Sequence, residues 1–257
     1  MSNESGLAGK VAVVTGGAGG LGAATCRALA QAGARVLVSD IDEVGGVQVA
    51  SEIGGAFHRT DVASWEENVE LMQAAVNRYG RLDLVHLNAG ISTFTEPGET
   101  FDPERYRRAM AINLDGVVYG AEAARVHMRA QDDGGAIVAT ASLAGLTAVP
   151  IDPYYAANKH GVVGFVRSVA PVWQNEGIRV NAVCPGFAES KIVDPIREHL
   201  AAAGLPLIAA ETVADTVTGL FTGDMTGECW WIQPGRPAEP FAFKNLPGPR
   251  AATNEEH

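Results

Sequence analysis

The string Tyr155-Ala-Ala-Asn-Lys159 puts a phenol and an ammonium at i and i+4, and Ser142 lies upstream of it. On a helix, side chains at that spacing stand on adjacent turns of one face. An ammonium beside a phenol favours the tyrosinate, which predicts a phenol pKa drawn from about 10 toward neutrality and a tyrosine able to shuttle a proton. Tyr154 is a competing phenol, but its i+4 neighbour is the uncharged Asn158. A solvated lysine beside a half-buried tyrosine fits the same five residues, so the assignment leans on what surrounds it.

A second chemical signal stands near the amino end. Lys10-Val-Ala-Val-Val-Thr15 reads as a buried strand, Gly16-Gly-Ala-Gly-Gly20-Leu21-Gly22 as a tight turn, and the following residues to Ala32 as a helix. Glycines let a backbone approach a pyrophosphate, whose charge then meets the amides at the helix start. A Gly-rich turn without a ligand is the alternative, and the strand before and helix after favour the ligand. Asp40 falls at the tip of the next strand, Arg35-Val-Leu-Val-Ser-Asp40. A carboxylate there accepts hydrogen bonds from both hydroxyls of an adenine ribose and repels a 2′-phosphate, which argues for NAD. Gly17 and Ile41 stand where an NADP site calls for Arg or Lys. A helix N-cap role for Asp40 fits the same conformation.

These groups need a scaffold that gathers them, and the hydrophobic pattern supplies one. Strands are expected near 10–15, 35–39, 55–59, 82–87, 134–140, 178–183 and 228–232, and helices near 20–32, 43–53, 64–79, 101–130, 153–175 and 211–222. Alternating elements with continuous apolar strands such as Val11-Ala-Val-Val14 call for one doubly wound α/β domain. Its parallel sheet of about seven strands carries helices on both faces. Ligands bind such sheets at the carboxyl ends of the strands. Thr15, Asp40, Asn88, Ser142 and Cys184-Pro185-Gly186 all fall at or just after those ends.

Together these motifs resemble the short-chain dehydrogenase/reductase family over roughly residues 8–235. Thr15-Gly16-x-x-x-Gly20-x-Gly22 is similar to its TGxxxGxG, and Leu87-Asn88-Ala89-Gly90 to its NNAG with Leu in place of the first Asn. The resemblance implies a Rossmann-type fold, with Tyr155 as acid/base. Lys159 would lower the tyrosine's pKa and hold the nicotinamide ribose, Ser142 would orient the substrate oxygen, and the Asn113 backbone would anchor a proton-relay water. It implies adenine contacts from Asp61 and Val62 and further cofactor contacts from Gly16, Gly20, Leu21, Gly22, Asp40, Ile41, Asn88, Ala89 and Gly90. Around the nicotinamide it implies Pro185, Gly186, Phe187 and Ser190, beside Tyr155 and Lys159. Within the family, the segments around Ser142, Lys159 and Asn181 resemble 15-hydroxyprostaglandin dehydrogenases, which oxidise secondary alcohols on bulky, largely apolar substrates. Asp152 departs from that group, which has an uncharged amide there. A carboxylate at that place either binds a polar group of the substrate, together with Ser142 and Tyr155, or is an exposed structural Asp.

Composition narrows the partners. The chain of 257 residues is 47% hydrophobic with a net charge of -11, so a small-molecule alcohol or ketone is expected and nucleic acid or an anionic membrane is not. Residues 1–9 lack the apolar core of a signal peptide, and no apolar run reaches the ~18 residues of a membrane span, which points to the cytosol. Cys26, Cys184 and Cys229 are scattered, which supports neither a disulfide framework nor a zinc site. The apolar stretch between 186 and 211 reads equally as a lid or as core. Residues 236–257 form a Pro-rich tail in which Phe241 and Phe243 are expected to dock on the lid or on a neighbouring subunit; the resemblance implies a homo-oligomer, a tetramer or dimer. A secondary-alcohol dehydrogenase or ketone reductase is the function expected, ahead of a non-redox lyase or epimerase using the same tyrosine and of a regulatory nucleotide-binding protein.

Overall fold

In the computed structural model, which describes residues 6–93, 98 and 101–244, the sequence alternation becomes a sheet with two different cores. Residues of β1 (Val11–Thr15) alternate faces as a strand must. Val11 and Val13 join one core, Ala12 and Val14 the other. The first core is covered by α3 (Trp65–Tyr79), α5 (Gly116–Arg129) and α6 (Pro153–Trp173). The second lies under α1 (Gly20–Gln31), α2 (Glu43–Glu52) and α8 (Ala210–Thr222).

Beside β1 lie β2 (Arg35–Asp40) and β4 (Leu84–Leu87), so the strand order reverses there and leaves a crevice at their carboxyl ends. Outward come β3 (Ala56–Arg59) on one side and β5 (Gly135–Thr140), β6 (Ile178–Pro185) and β7 (Cys229–Ile232) on the other, all parallel. The eighth strand, β8 (Glu239–Pro240), was not expected. It pairs antiparallel with β7, Trp231 opposite Glu239. The start of the tail therefore covers the edge of its own sheet, which would otherwise present unpaired amides. The Arg167 guanidinium of α6 lies 3.6 Å from the centre of the Phe243 ring, and Phe241 meets Phe243 edge to face. Residues 245–257 lie outside the described residues.

The helix expected over 101–130 is interrupted. α4 (Pro103–Met110) passes into a π-helical turn, Ala111–Asp115, before α5 resumes. An extra residue per turn does not disturb the apolar periodicity enough to be read, yet it re-aims the backbone at Asn113. The stretch between 186 and 211 contains a short helix, α7 (Arg197–Ala202). Val193, Leu200 and Ile208 are buried while Leu205 is exposed, so its apolar residues divide between core and surface.

Candidate active site

Helix α6 starts abruptly because Asp152 accepts the Tyr155 N–H at 3.1 Å and Pro153 supplies the first helical residue. That start places Tyr155 and Lys159 against the ends of β5 and β6. Ser142, just past β5, stands beside the Tyr155 phenol. Its own hydroxyl donates to Pro185 O at 3.3 Å and accepts from Ala144 N at 3.1 Å. The Lys159 ammonium lies 5.6 Å from the centre of the Tyr155 ring and donates to Thr140 O at 2.7 Å. Tyr154 faces elsewhere, its ring packed on Phe101 and Tyr106.

The pKa of the phenol departs from the expectation. Burial pushes Tyr155 up to about 12, the Ser142 hydroxyl pulls it back only in part, and the Asp152 charge raises it further. Burial likewise pushes Lys159 down to about 8. Burial is the largest cause in both, because the charged form of each is the one that it penalises. The resting phenol is therefore a firm holder of its proton.

The Gly-rich turn is held by a compact set of bonds. Thr15 Oγ1 accepts from the N–H groups of Asn88 and Ala89 at 3.0 and 3.2 Å. The Asn88 amide donates to Thr15 O and Gly16 O at 3.1 and 3.2 Å. A Cβ at Gly16 would meet Ala89 Cα at 2.8 Å, so the two loops touch backbone to backbone, and Gly20 adopts φ +51°. Ser190 approaches this turn, within 3.3 Å of where a Gly20 Cβ would stand. Pro185 ends β6, and the Gly186 N–H donates to Ile232 O at 3.0 Å. Phe187 and Ile41 are exposed at 40% and 54% and rim the same end of the sheet.

Asp40 joins the turn to the strand tip, accepting from Ala18 N and Asp42 N, both at 3.0 Å. The N-cap of α2 is Asp42, whose carboxylate accepts the Gly45 N–H, so capping is excluded as the role of Asp40. Lys191, which sequence spacing does not bring here, pairs with Asp42 at 3.4 Å. Glycines under the turn, amides at the start of α1 and a carboxylate at the β2 tip together fit a dinucleotide.

Other expected residues serve as braces. Asp61 accepts from Ala63 N at 3.0 Å, and Val62 is buried against Gly116. The Asn113 side chain is fully buried and makes both bonds to the Ile91 backbone, each at 2.8 Å, behind Gly90. Asp152 is also buried, and its carboxylate accepts from Ser92 Oγ at 2.8 Å and from Thr93 Oγ1. The exposed reading of Asp152 is thereby removed, since the carboxylate ties the loop after β4 to the helix bearing Tyr155. Asp152→Ala should cost about 1–3 kcal/mol through the lost cap and the lost hydrogen bonds from Ser92 and Thr93, and Asp152→Asn distinctly less. Equal denaturant midpoints for the two variants would contradict this. His160 is exposed and bonds only Ala156 O on its own helix, so it takes no part.

Sequence reasoning missed His86 and Thr140. Both are polar residues inside apolar strand runs, and that mismatch was the available signal. His86 Nε2 lies 2.9 Å from Thr140 Oγ1, and Thr140 Oγ1 lies 3.2 Å from Asn88 Oδ1.

A family model described as short chain dehydrogenase matches residues 10–201. The chain belongs to the short-chain dehydrogenase/reductase family and is an oxidoreductase. Among curated relatives, it is 39% identical over 210 residues to cis-4-hydroxycyclohexanecarboxylate dehydrogenase of Sinomonas cyclohexanicum, covering 80% of each chain. It is 35% identical over 202 residues to the human 15-hydroxyprostaglandin dehydrogenase [NAD(+)], covering 74% of this chain and 73% of that one. Among solved structures, levodione reductase superposes with a TM-score of 0.83 at 30% identity, over 89% of this chain and 97% of the other. No helix among the described residues is long and apolar enough to cross a membrane.

Proposed function

We propose that the protein interconverts a secondary alcohol and a ketone with NAD, Tyr155 acting as the proton donor and acceptor. The supporting observation is the meeting, at the carboxyl ends of the strands, of the Ser142–Tyr155–Lys159 group with a glycine turn tied to the Asp40 carboxylate. When bound, NAD supplies the hydride acceptor or donor and, oxidised, a positive charge. Asp40 recognises the adenine ribose, and the turn around Gly16, Gly20 and Gly22 carries the pyrophosphate. Ser142 orients the substrate oxygen toward the phenol. A phenol held near 12 gives its proton readily to a ketone oxygen only when that oxygen is becoming an alkoxide, so proton and hydride movement are matched. Lys159 stabilises the tyrosinate left behind, and Thr140 O holds the ammonium in place. Asp152 acts on specificity through Ser92 and Thr93, which it orients. The relatives' names, which specify hydroxycyclohexane and prostaglandin substrates, support a cyclic or bulky secondary alcohol. The net charge of -11 is consistent with the cytosol, and a homo-oligomer follows from the family likeness.

A panel of secondary alcohols with NAD, and of ketones with NADH, tests this reading by NADH absorbance. Turnover on no member, or conversion of substrate without change in NADH, would favour a non-redox reaction. Cofactor choice gives a sharper check. Asp40→Ala should shift preference toward NADP by about tenfold or more, since a like charge near a 2′-phosphate costs on the order of 1–4 kcal/mol. Wild-type enzyme using both cofactors equally would refute the role given to Asp40.

A further inference from the structure

We infer that His86 and Thr140 are positioning residues that set the Gly-rich turn from beneath, through a one-way chain of hydrogen bonds ending on the Asn88 amide. The directions follow from counting protons. The Asn88 Nδ2 group donates to two backbone carbonyls, Thr15 O and Gly16 O. Its orientation is thus fixed, and Asn88 Oδ1 must accept. The neighbour of that oxygen is the Thr140 hydroxyl at 3.2 Å, whose single proton goes there. Toward His86 the same hydroxyl has only lone pairs left, so His86 carries its hydrogen on Nε2 and donates across 2.9 Å. His86 Nδ1 is then a bare acceptor, and it is buried with no partner. The imidazole is neutral, which burial enforces by pushing its pKa down to about 3.

The chain begins on β4, crosses to β5, returns to the loop after β4 and ends on the turn after β1. Thr140 also holds the Lys159 ammonium through its carbonyl. One residue therefore touches both the nucleotide turn and the catalytic lysine, by different atoms. Removing the hydroxyl leaves the carbonyl in place, so the two connections separate experimentally. Without the hydroxyl, the half-buried Asn88 Oδ1 loses its one protein donor, and the amide is freed to turn away from Gly16.

The inference rests on the dinucleotide reading above, so the test carries one measurement that needs no nucleotide. Thr140→Val and Thr140→Ser are compared with wild type in the unliganded protein by hydrogen exchange of the peptide spanning residues 14–22, and with NADH by fluorescence titration. Thr140→Val should exchange faster across the turn and bind NADH about tenfold more weakly, as expected for the loss of one half-buried hydrogen bond that holds the turn. Its kcat at saturating NAD should stay within about threefold, because Lys159 keeps its carbonyl partner. Thr140→Ser should restore both readings. His86→Leu/Thr140→Val should be no worse than Thr140→Val alone, since the two residues act in series; it also serves as the test protein if Thr140→Val does not fold. Unchanged exchange in the turn, a failure of serine to rescue, or additive effects of the two substitutions would overturn the inference. Wild-type protein that binds no NADH would instead overturn the cofactor reading, while the exchange comparison would still decide the chain.

Discussion

Tyr155→Phe should lower kcat/KM by about 10²- to 10⁴-fold, the range that general acid–base groups contribute, while NADH binding stays close to wild type. The expectation is strong because the described site offers no second phenol. Tyr154 is committed to a cluster with Phe101 and Tyr106. The substitution removes one oxygen from a half-buried ring and leaves the Lys159–Thr140 bond untouched, so folding should hardly change. The loss should fall on kcat, because the phenol acts in proton transfer and contributes little to cofactor affinity. Activity above about a hundredth of wild type would remove Tyr155 from the acid/base role.

Gly22→Ala should be nearly as damaging by a different route. A Cβ at Gly22 would sit 2.1 Å from Gly16 O and 2.7 Å from Asn88 Nδ2. The nearer contact is backbone, so it cannot turn aside; either α1 or the turn must shift. That shift also breaks the bond from the Asn88 amide to Gly16 O. A displacement of about an ångström at a binding turn costs on the order of 10²-fold, and here it should appear as weaker NAD binding with the Ser142–Tyr155 pair intact. Gly164→Ala is the matched control: a Cβ there meets nothing within 4 Å, so alanine should be neutral or slightly stabilising in α6. NADH titration and thermal melts of both variants separate the two cases, and equal NADH affinity for them would contradict the packing argument.

Much of this was legible because it depends on neighbours in the chain. Alternation along Val11–Thr15 is a backbone property, and it predicted a strand buried on both sides. The i, i+4 relation of Tyr155 and Lys159 needs only a helix, which Asp152 and Pro153 start. The glycines at 16, 20 and 22 reveal a close approach because no other residue tolerates one. What was misjudged involved partners remote in sequence or the loss of water. Asp152 was read as either a substrate contact or an exposed structural residue, and the exposed reading fails because its carboxylate is buried against Ser92 and Thr93, about sixty residues away in the chain. The π turn at Asn113 and the two-residue β8 carry too little periodicity to be read from the residues.

The order of elements, the Gly-rich turn and the Ser142, Tyr155 and Lys159 set were determined by the sequence alone, since steric and periodic rules act over a few residues. Only the tertiary structure decided their protonation and their braces. It set Tyr155 above and Lys159 below their usual pKa, because desolvation depends on everything packed around a group. It also joined His86 to Thr140 across two strands, a bond between side chains that no local pattern connects.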